Sequence, residues 1–264
     1  MTAKSFSLWR LFGVEQHHQL LLKWMVLTAV AVFAFFIAAT YGLVEEVLSV
    51  DRTYISFSIT LLFVVTSLHC MIRIMFISQQ LNLAGQAAKV IATSPQQFSL
   101  VDDRASVGDG QTLPFSVIAD HIRDLILKAR AKPGRLDQTL LLKAFEEKLH
   151  GAQSIGFFIA ETMLRLGLLG TVIGFIFMLA PLTNVQSIDV GQMREILASM
   201  SGGMAVALYT TLCGLIGGIL LKLEYYFLEG GTEELVAMVA EITEVYVVPV
   251  LEAPRVEEVA HAAE

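Results

Sequence analysis

The sequence predicts an all-α integral membrane protein with four transmembrane helices and long cytoplasmic helical extensions, and three observations predict it. The 264 residues are 55% hydrophobic and only 16% charged, against about 25% charged in a soluble globular domain. Four stretches, Trp24 to Val44, Tyr54 to Ile72, Leu166 to Ile188 and Ile196 to Leu221, contain no Asp, Glu, Lys or Arg, and the shortest holds 19 residues. About 20 apolar residues at 1.5 Å rise cross the ~30 Å hydrocarbon core. Finally, the basic residues are distributed asymmetrically between the loops, as orientation in a bilayer requires.

Residues 1–23 carry Lys4, Arg10, Glu15 and Lys23, a sum of +2, and mix apolar with polar positions over 5–22 in a way that suits a short interfacial helix. The apolar stretch behind them is too long for a signal-peptide core and lacks a small-residue cleavage pattern, so it reads as an uncleaved anchor. Residues 24–77 hold the first two spans, joined by the loop Glu45 to Arg52, which sums to −2. Near the end of the second span His69 and Arg73 stand four apart on one face, placed for snorkelling and local hydrogen bonds.

The segment 78–150 is polar and contains nine basic side chains. Within it Leu81 to Ala92 is helix-like, Thr93-Ser94-Pro95 and Val107 to Pro114 read as loop, and helix resumes around Phe115. Pro133-Gly134 breaks that helix, and Asp137 can cap a new one carrying Leu140, Leu141, Ala144, Phe145 and Leu149. No further proline occurs until Pro181, so one helix of about 44 residues, ~66 Å long, can run through the third span. The fourth likewise has no proline before Pro249, with Gly230-Gly231 as its candidate break. The hairpin occupies 151–228, and 229–264 forms an acidic tail; after Leu221 ten acids face only Lys222 and Arg255. That acidity disfavours nucleic acid and anionic lipid. Positive segments stay inside, so both termini and 78–150 are expected in the cytoplasm.

The chemistry is concentrated in the hairpin. Gly167, Gly170 and Gly174 on the third span recur at steps of three and four, and Gly203, Ala207, Thr210, Thr211, Gly214 and Gly218 form a similar stripe on the fourth. Small residues at this spacing let helices approach closely in lipid. With only four spans per chain, some neighbours of these faces are expected to be other copies. Thr171 lies ten residues before Pro181, and Thr211 twelve to fifteen after the fourth span begins, which puts both roughly 15 to 22 Å from the outer end. A lone membrane threonine needs only its own i−4 carbonyl; two at one depth also fit a polar belt around an interior path. The outer two thirds of these spans hold no Asp or Glu, the usual members of an intramembrane proton relay. Glu161 and Arg165 stand in the favourable i, i+4 order for an ion pair at the inner mouth. Cys70 and Cys213 lie inside apolar stretches, where they act as small hydrophobes and point to neither a disulfide framework nor a metal site. His69 and Cys70 point about 100° apart on a helix with no acid nearby, which argues against an intramembrane enzyme.

The run Gly167-Leu168-Leu169-Gly170-Thr171-Val172-Ile173-Gly174, with Gly203-Met204-Ala205-Val206-Ala207-Leu208-Tyr209-Thr210-Thr211-Leu212-Cys213-Gly214 about 30 residues later, resembles the MotA/TolQ/ExbB proton-channel family. The resemblance covers roughly residues 150 to 228. It implies a ring, a pentamer, around a dimer of single-span MotB/TolR/ExbD-like partners, each with a membrane Asp that takes up and releases the ion. Thr171 and Thr211 would then line the lumen opposite that Asp, and Thr210 would widen the belt where many relatives have Ala. The four-span layout with both ends inside looks like the flagellar stator branch, in the bacterial inner membrane, with a cytoplasmic rotor or effector as a further partner. No cofactor is implied beyond the transported H+ or Na+. A passive scaffold, in which these faces only pack helices, and an energiser of outer-membrane transport remain the alternatives.

Overall fold

The computed structural model describes residues 19–51, 53–93, 98–101, 104–108, 111–131, 136–184 and 190–253. The interfacial helix expected over 5–22 and the end of the acidic tail lie largely outside them. The described chain is helical except for one small sheet. It contains α1 (Gln19–Thr40), α2 (Leu43–Val50), α3 (Ile55–Thr93), β1 (Phe98–Val101), β2 (Arg104–Val107), β3 (Gln111–Thr112), α4 (Val117–Ala131), α5 (Thr139–Leu179), a 3₁₀ turn (Ala180–Asn184), α6 (Val190–Ile242), a π-turn (Thr243–Val247) and α7 (Val248–Glu252). Four of its helices are long and apolar enough to cross a membrane, and the chain is a multi-pass membrane protein. In hydrocarbon every backbone polar group needs an internal partner, and an unbroken helix supplies it.

Two units make up the chain: Leu21–Arg73 with Gln153–Leu228, and Ile74–Ala152 with the residues up to Leu20 and from Glu229 onward.

The first unit holds the apolar parts of α1, α3, α5 and α6 together with α2. α1 stops where Gly42 takes a left-handed conformation, φ 74°, which lets the chain turn directly into α2. Glu45 and Glu46 sit in the first turn of α2, where the helix dipole favours negative charge; the loop expected at Glu45 to Arg52 is therefore mostly this short helix. Asp51 organises the next turn. Its Oδ1 accepts the Thr53 N–H at 2.9 Å and the Thr53 hydroxyl at 2.5 Å, and Oδ2 accepts the Ser56 N–H at 2.7 Å, capping α3. Burial pushes the Asp51 carboxyl up, yet the hydrogen bonds from Thr53 and Ser56 outweigh it and hold the group below the usual carboxylate range.

The long third and fourth helices are present as expected. α5 has 41 residues and α6 has 53, about 62 and 80 Å at 1.5 Å per residue, well beyond the ~30 Å bilayer core. Gly230-Gly231 does not break α6. Gly231 instead accommodates Leu20, whose Cδ2 would lie 2.5 Å from an added Cβ. The irregularity comes later, at the π-turn ahead of Pro249. Pro249 lacks an N–H and its ring crowds the carbonyl four residues back, so a widened turn there relieves both problems.

The second unit has a helical core with a sheet attached. Ile118, His121, Ile122, Leu125 and Ile126 form the buried stripe of α4; Phe145 and Leu149 of α5 and Leu235 and Val239 of α6 are buried in the same unit. The segment 98–112, of which Val107 onward is expected as loop, is a three-stranded antiparallel sheet in the order β1-β2-β3. Phe98 pairs with Val107, Val101 with Arg104, and Ser106 with Thr112. The Ser99 and Ser106 hydroxyls meet across β1 and β2 at 2.7 Å. α4 is tied to α3 by the Val117 N–H, which donates to Gln80 Oε1 at 2.9 Å.

Candidate ion pathway on the helical hairpin

α5 and α6 pack through the small residues of the hairpin. A Cβ on Gly167 would lie 3.2 Å from Gly214 Cα, and one on Gly214 would lie 2.8 Å from Met163 O and 2.9 Å from Gly167 Cα. Gly174 faces Ala207, whose N would be 2.6 Å from an added Cβ; Gly203 meets the backbone of Met178; Gly218 sits against Leu164 and the carbonyl of Ala160. Gly170 is filled by the Thr210 side chain, which an added Cβ would strike directly. Apart from Leu164 at Gly218, these contacts are to backbone and to the short side chains of Ala207 and Thr210, so the helices approach as closely as glycine permits.

The three threonines take different positions. Thr210 is fully buried: its hydroxyl donates to Val206 O at 2.9 Å and Ala207 O at 3.1 Å, and its methyl and hydroxyl fill the space above Gly170. It is part of the packing within the chain. Thr171 and Thr211 are half-buried. The Thr171 hydroxyl donates to Leu168 O at 2.6 Å. Thr211 donates to Ala207 O at 2.9 Å and, across the hairpin, to Gly167 O at 3.2 Å. Because Gly170 meets Thr210, their neighbours Thr171 and Thr211 stand at one level of the hairpin. Each hydroxyl directs its O–H at backbone carbonyl oxygen, which leaves the hydroxyl oxygen's lone pairs as acceptors for a visiting donor or cation.

Glu161 and Arg165 form the i, i+4 pair, Oε2 to Nη2 3.5 Å, with both side chains mostly exposed. His69 does more than snorkel: its Nδ1 is 2.8 Å from Tyr225 Oη and the rings stack with centroids 6.5 Å apart. No group of acids, histidines and cysteines suited to a metal ion occurs among the described residues.

A buried acid also lies on α6. Glu224 of α6 accepts a hydrogen bond from Ser67 of α3 at 3.0 Å. Lying three residues past the charge-free run, it reads as the start of a solvated tail. The signal that finds it is the spacing of Leu221, Glu224, Tyr225 and Leu228, one helical face on which all four are buried.

Around this hairpin the large apolar side chains Leu168, Val172, Phe175 and Ile176 of α5, and Leu208, Leu212, Ile216 and Ile219 of α6, are exposed in the single chain. A continuous apolar surface of that kind needs lipid or protein to cover it.

Residues 118–241 match the family model described as the MotA/TolQ/ExbB proton channel family. The matched region extends from α4 to the last turn of α6 and so includes both hairpin helices with all three threonines and every small residue of their interface. No curated protein matches the chain.

Proposed function

We propose, from that family match and the hydroxyls of the hairpin, that this chain is the ring-forming subunit of an ion-driven membrane motor. Five copies surround a dimer of single-span partners, and the acid that binds the proton or sodium ion is an Asp on each partner helix. The observation that carries the reading is the level placement of Thr171 and Thr211, both half-buried, on a hairpin whose opposite contacts are closed by glycine. A hydroxyl already bonded to its own carbonyl offers an acceptor without fixed charge, so it can guide an ion or a partner carboxyl without trapping it. Thr210, enclosed against Gly170, supports this pair from behind rather than widening the polar belt.

The ion neutralises the partner Asp at the threonine level and leaves toward the cytoplasm, and the alternation between charged and neutral carboxyl shifts the partner against the ring. One charge crossing 100 mV supplies ~2.3 kcal/mol, so several ions per turn can do mechanical work. The long α5 and α6 deliver the motion to a cytoplasmic rotor or effector. The orientation, with both termini inside the bacterial inner membrane, rests on the basic residues of 1–23 and 78–150 and the acidic Glu45 to Arg52 loop.

Co-expression with the partner tests this. Neutralising the partner's Asp as Asn abolishes ion-dependent work while the complex stays intact, and Thr171→Val with Thr211→Val lowers it steeply without loss of assembly. Full activity in the double variant overturns the proposal and leaves a passive scaffold.

A further inference from the structure

The proposed pathway makes no use of Glu224, yet this side chain is 3% exposed and its environment is incomplete. Oε1 accepts the Ser67 hydroxyl of α3, whereas Oε2 is buried with no hydrogen-bond partner. The Trp24 indole of α1 faces the same carboxyl, and its Nε1 is also buried with no acceptor in bonding geometry. Of the other titratable groups, Cys70 on α3 and Tyr225 on α6 lie near it, and His69 and Arg73 on α3 lie near Tyr225. His69 and Tyr225 are bonded to each other. From α5, Gly156 and Phe157 pack on the Tyr225 ring and bring no ionisable group. No ion pair to Glu224 occurs among the described residues.

A carboxylate withdrawn from water is strongly disfavoured unless a cation or several donors compensate it, and one hydroxyl with an indole N–H outside bonding geometry does not suffice. A proton on Oε2 removes the charge and turns an unpartnered acceptor into a donor. We propose that Glu224 is a proton-binding site inside each subunit, separate from the threonine level. The step is an uptake from water: a hydronium ion gives up a proton, the O–H bond forms at Oε2, and neutral water leaves. Glu224 lies thirteen residues beyond Thr211 on α6, about 20 Å along the axis, so the two sites are independent in space. The inference does not rest on the motor reading, because the test uses the isolated chain without any partner.

The test is infrared difference spectroscopy of the full chain in lipid nanodiscs at neutral pH, in H2O and D2O. The expected result is a protonated-carboxyl C=O band equivalent to one group per subunit, shifted by deuteration and absent from Glu224→Gln. A missing band, or one unchanged in Glu224→Gln, overturns the proposal. Since that variant can fold poorly, Ser67→Ala supplies a second reading: loss of its hydrogen bond moves the same band to higher frequency, and a band that stays in place overturns the assignment to Glu224.

Discussion

Adding one methyl group at Gly214 probes the closest approach of the hairpin helices. An alanine Cβ there would lie 2.8 Å from Met163 O and 2.9 Å from Gly167 Cα, and both obstacles are backbone atoms that cannot rotate aside. Gly202, on the same helix, has no atom within 4 Å of the corresponding position. Gly→Ala in a helix gains up to about 1 kcal/mol from propensity at either site, so the difference between the two variants isolates the steric cost. Overpacking of a closely packed contact costs about 1 to 3 kcal/mol. Gly202→Ala is therefore expected to be neutral or stabilising, and Gly214→Ala to be less stable than Gly202→Ala by that amount, about 5- to 150-fold in the unfolding equilibrium constant. Reversible unfolding of the isolated chain in bicelles, titrated with a denaturing detergent, measures the difference. Equal stabilities would refute the geometry of the α5 and α6 contact.

Single sites elsewhere give further expectations. Asp51→Ala removes three hydrogen bonds at the start of α3 and should cost about 1 to 2 kcal/mol in the same titration, while Asp51→Asn recovers part of it. Arg165→Ala should change stability by less than about 0.5 kcal/mol, because its pair with Glu161 is exposed; a larger loss would show a contact absent from the single chain. Burial holds the His121 imidazole below its usual range, against the opposing pull of the Gln138 hydrogen bond and the Asp124 charge. The folded state thus binds fewer protons than the unfolded chain, so the unit built around α4 loses stability as pH falls below the ordinary histidine value of about 6.5 and stops losing it below the lowered folded value. Hydrogen exchange of residues 117–131 between pH 7.5 and 5.5 should show this loss in the native chain and a flatter response in His121→Gln. Thr210→Val should keep most ion-driven activity, in contrast to the same change at Thr171 and Thr211, because its hydroxyl is enclosed within the subunit.

The spans and the glycine faces were legible because both are local patterns. A charge-free run longer than the bilayer needs no tertiary information, and Gly167, Gly170 and Gly174 announce a close approach by spacing alone. The sheet was not legible: β1 and β2 are four residues each, too short for alternation to register, and Gly108 with Gly110 imposed a loop reading on the residues after β2. Gly230-Gly231 reads as a break because glycine is a poor helix former, but the helix continues where Leu20 packs onto Gly231. Thr210 and Thr211 are adjacent and chemically identical, and only the position of Gly170 across the hairpin decides that one is enclosed and the other half-buried. Glu224 was hidden for the same reason, since Ser67 and Trp24 meet it from helices distant in sequence.

The proposed pathway requires Thr171 and Thr211 of neighbouring subunits to line a shared space that conducts only when a partner's acidic side chain occupies it. The most direct measurement is a cryo-electron microscopy structure of the chain assembled with its partner in lipid. Both hydroxyls are expected to face a central space at the level of the partner's Asp, with Thr210 turned toward Gly170. Hydroxyls directed into the surrounding lipid would contradict the claim.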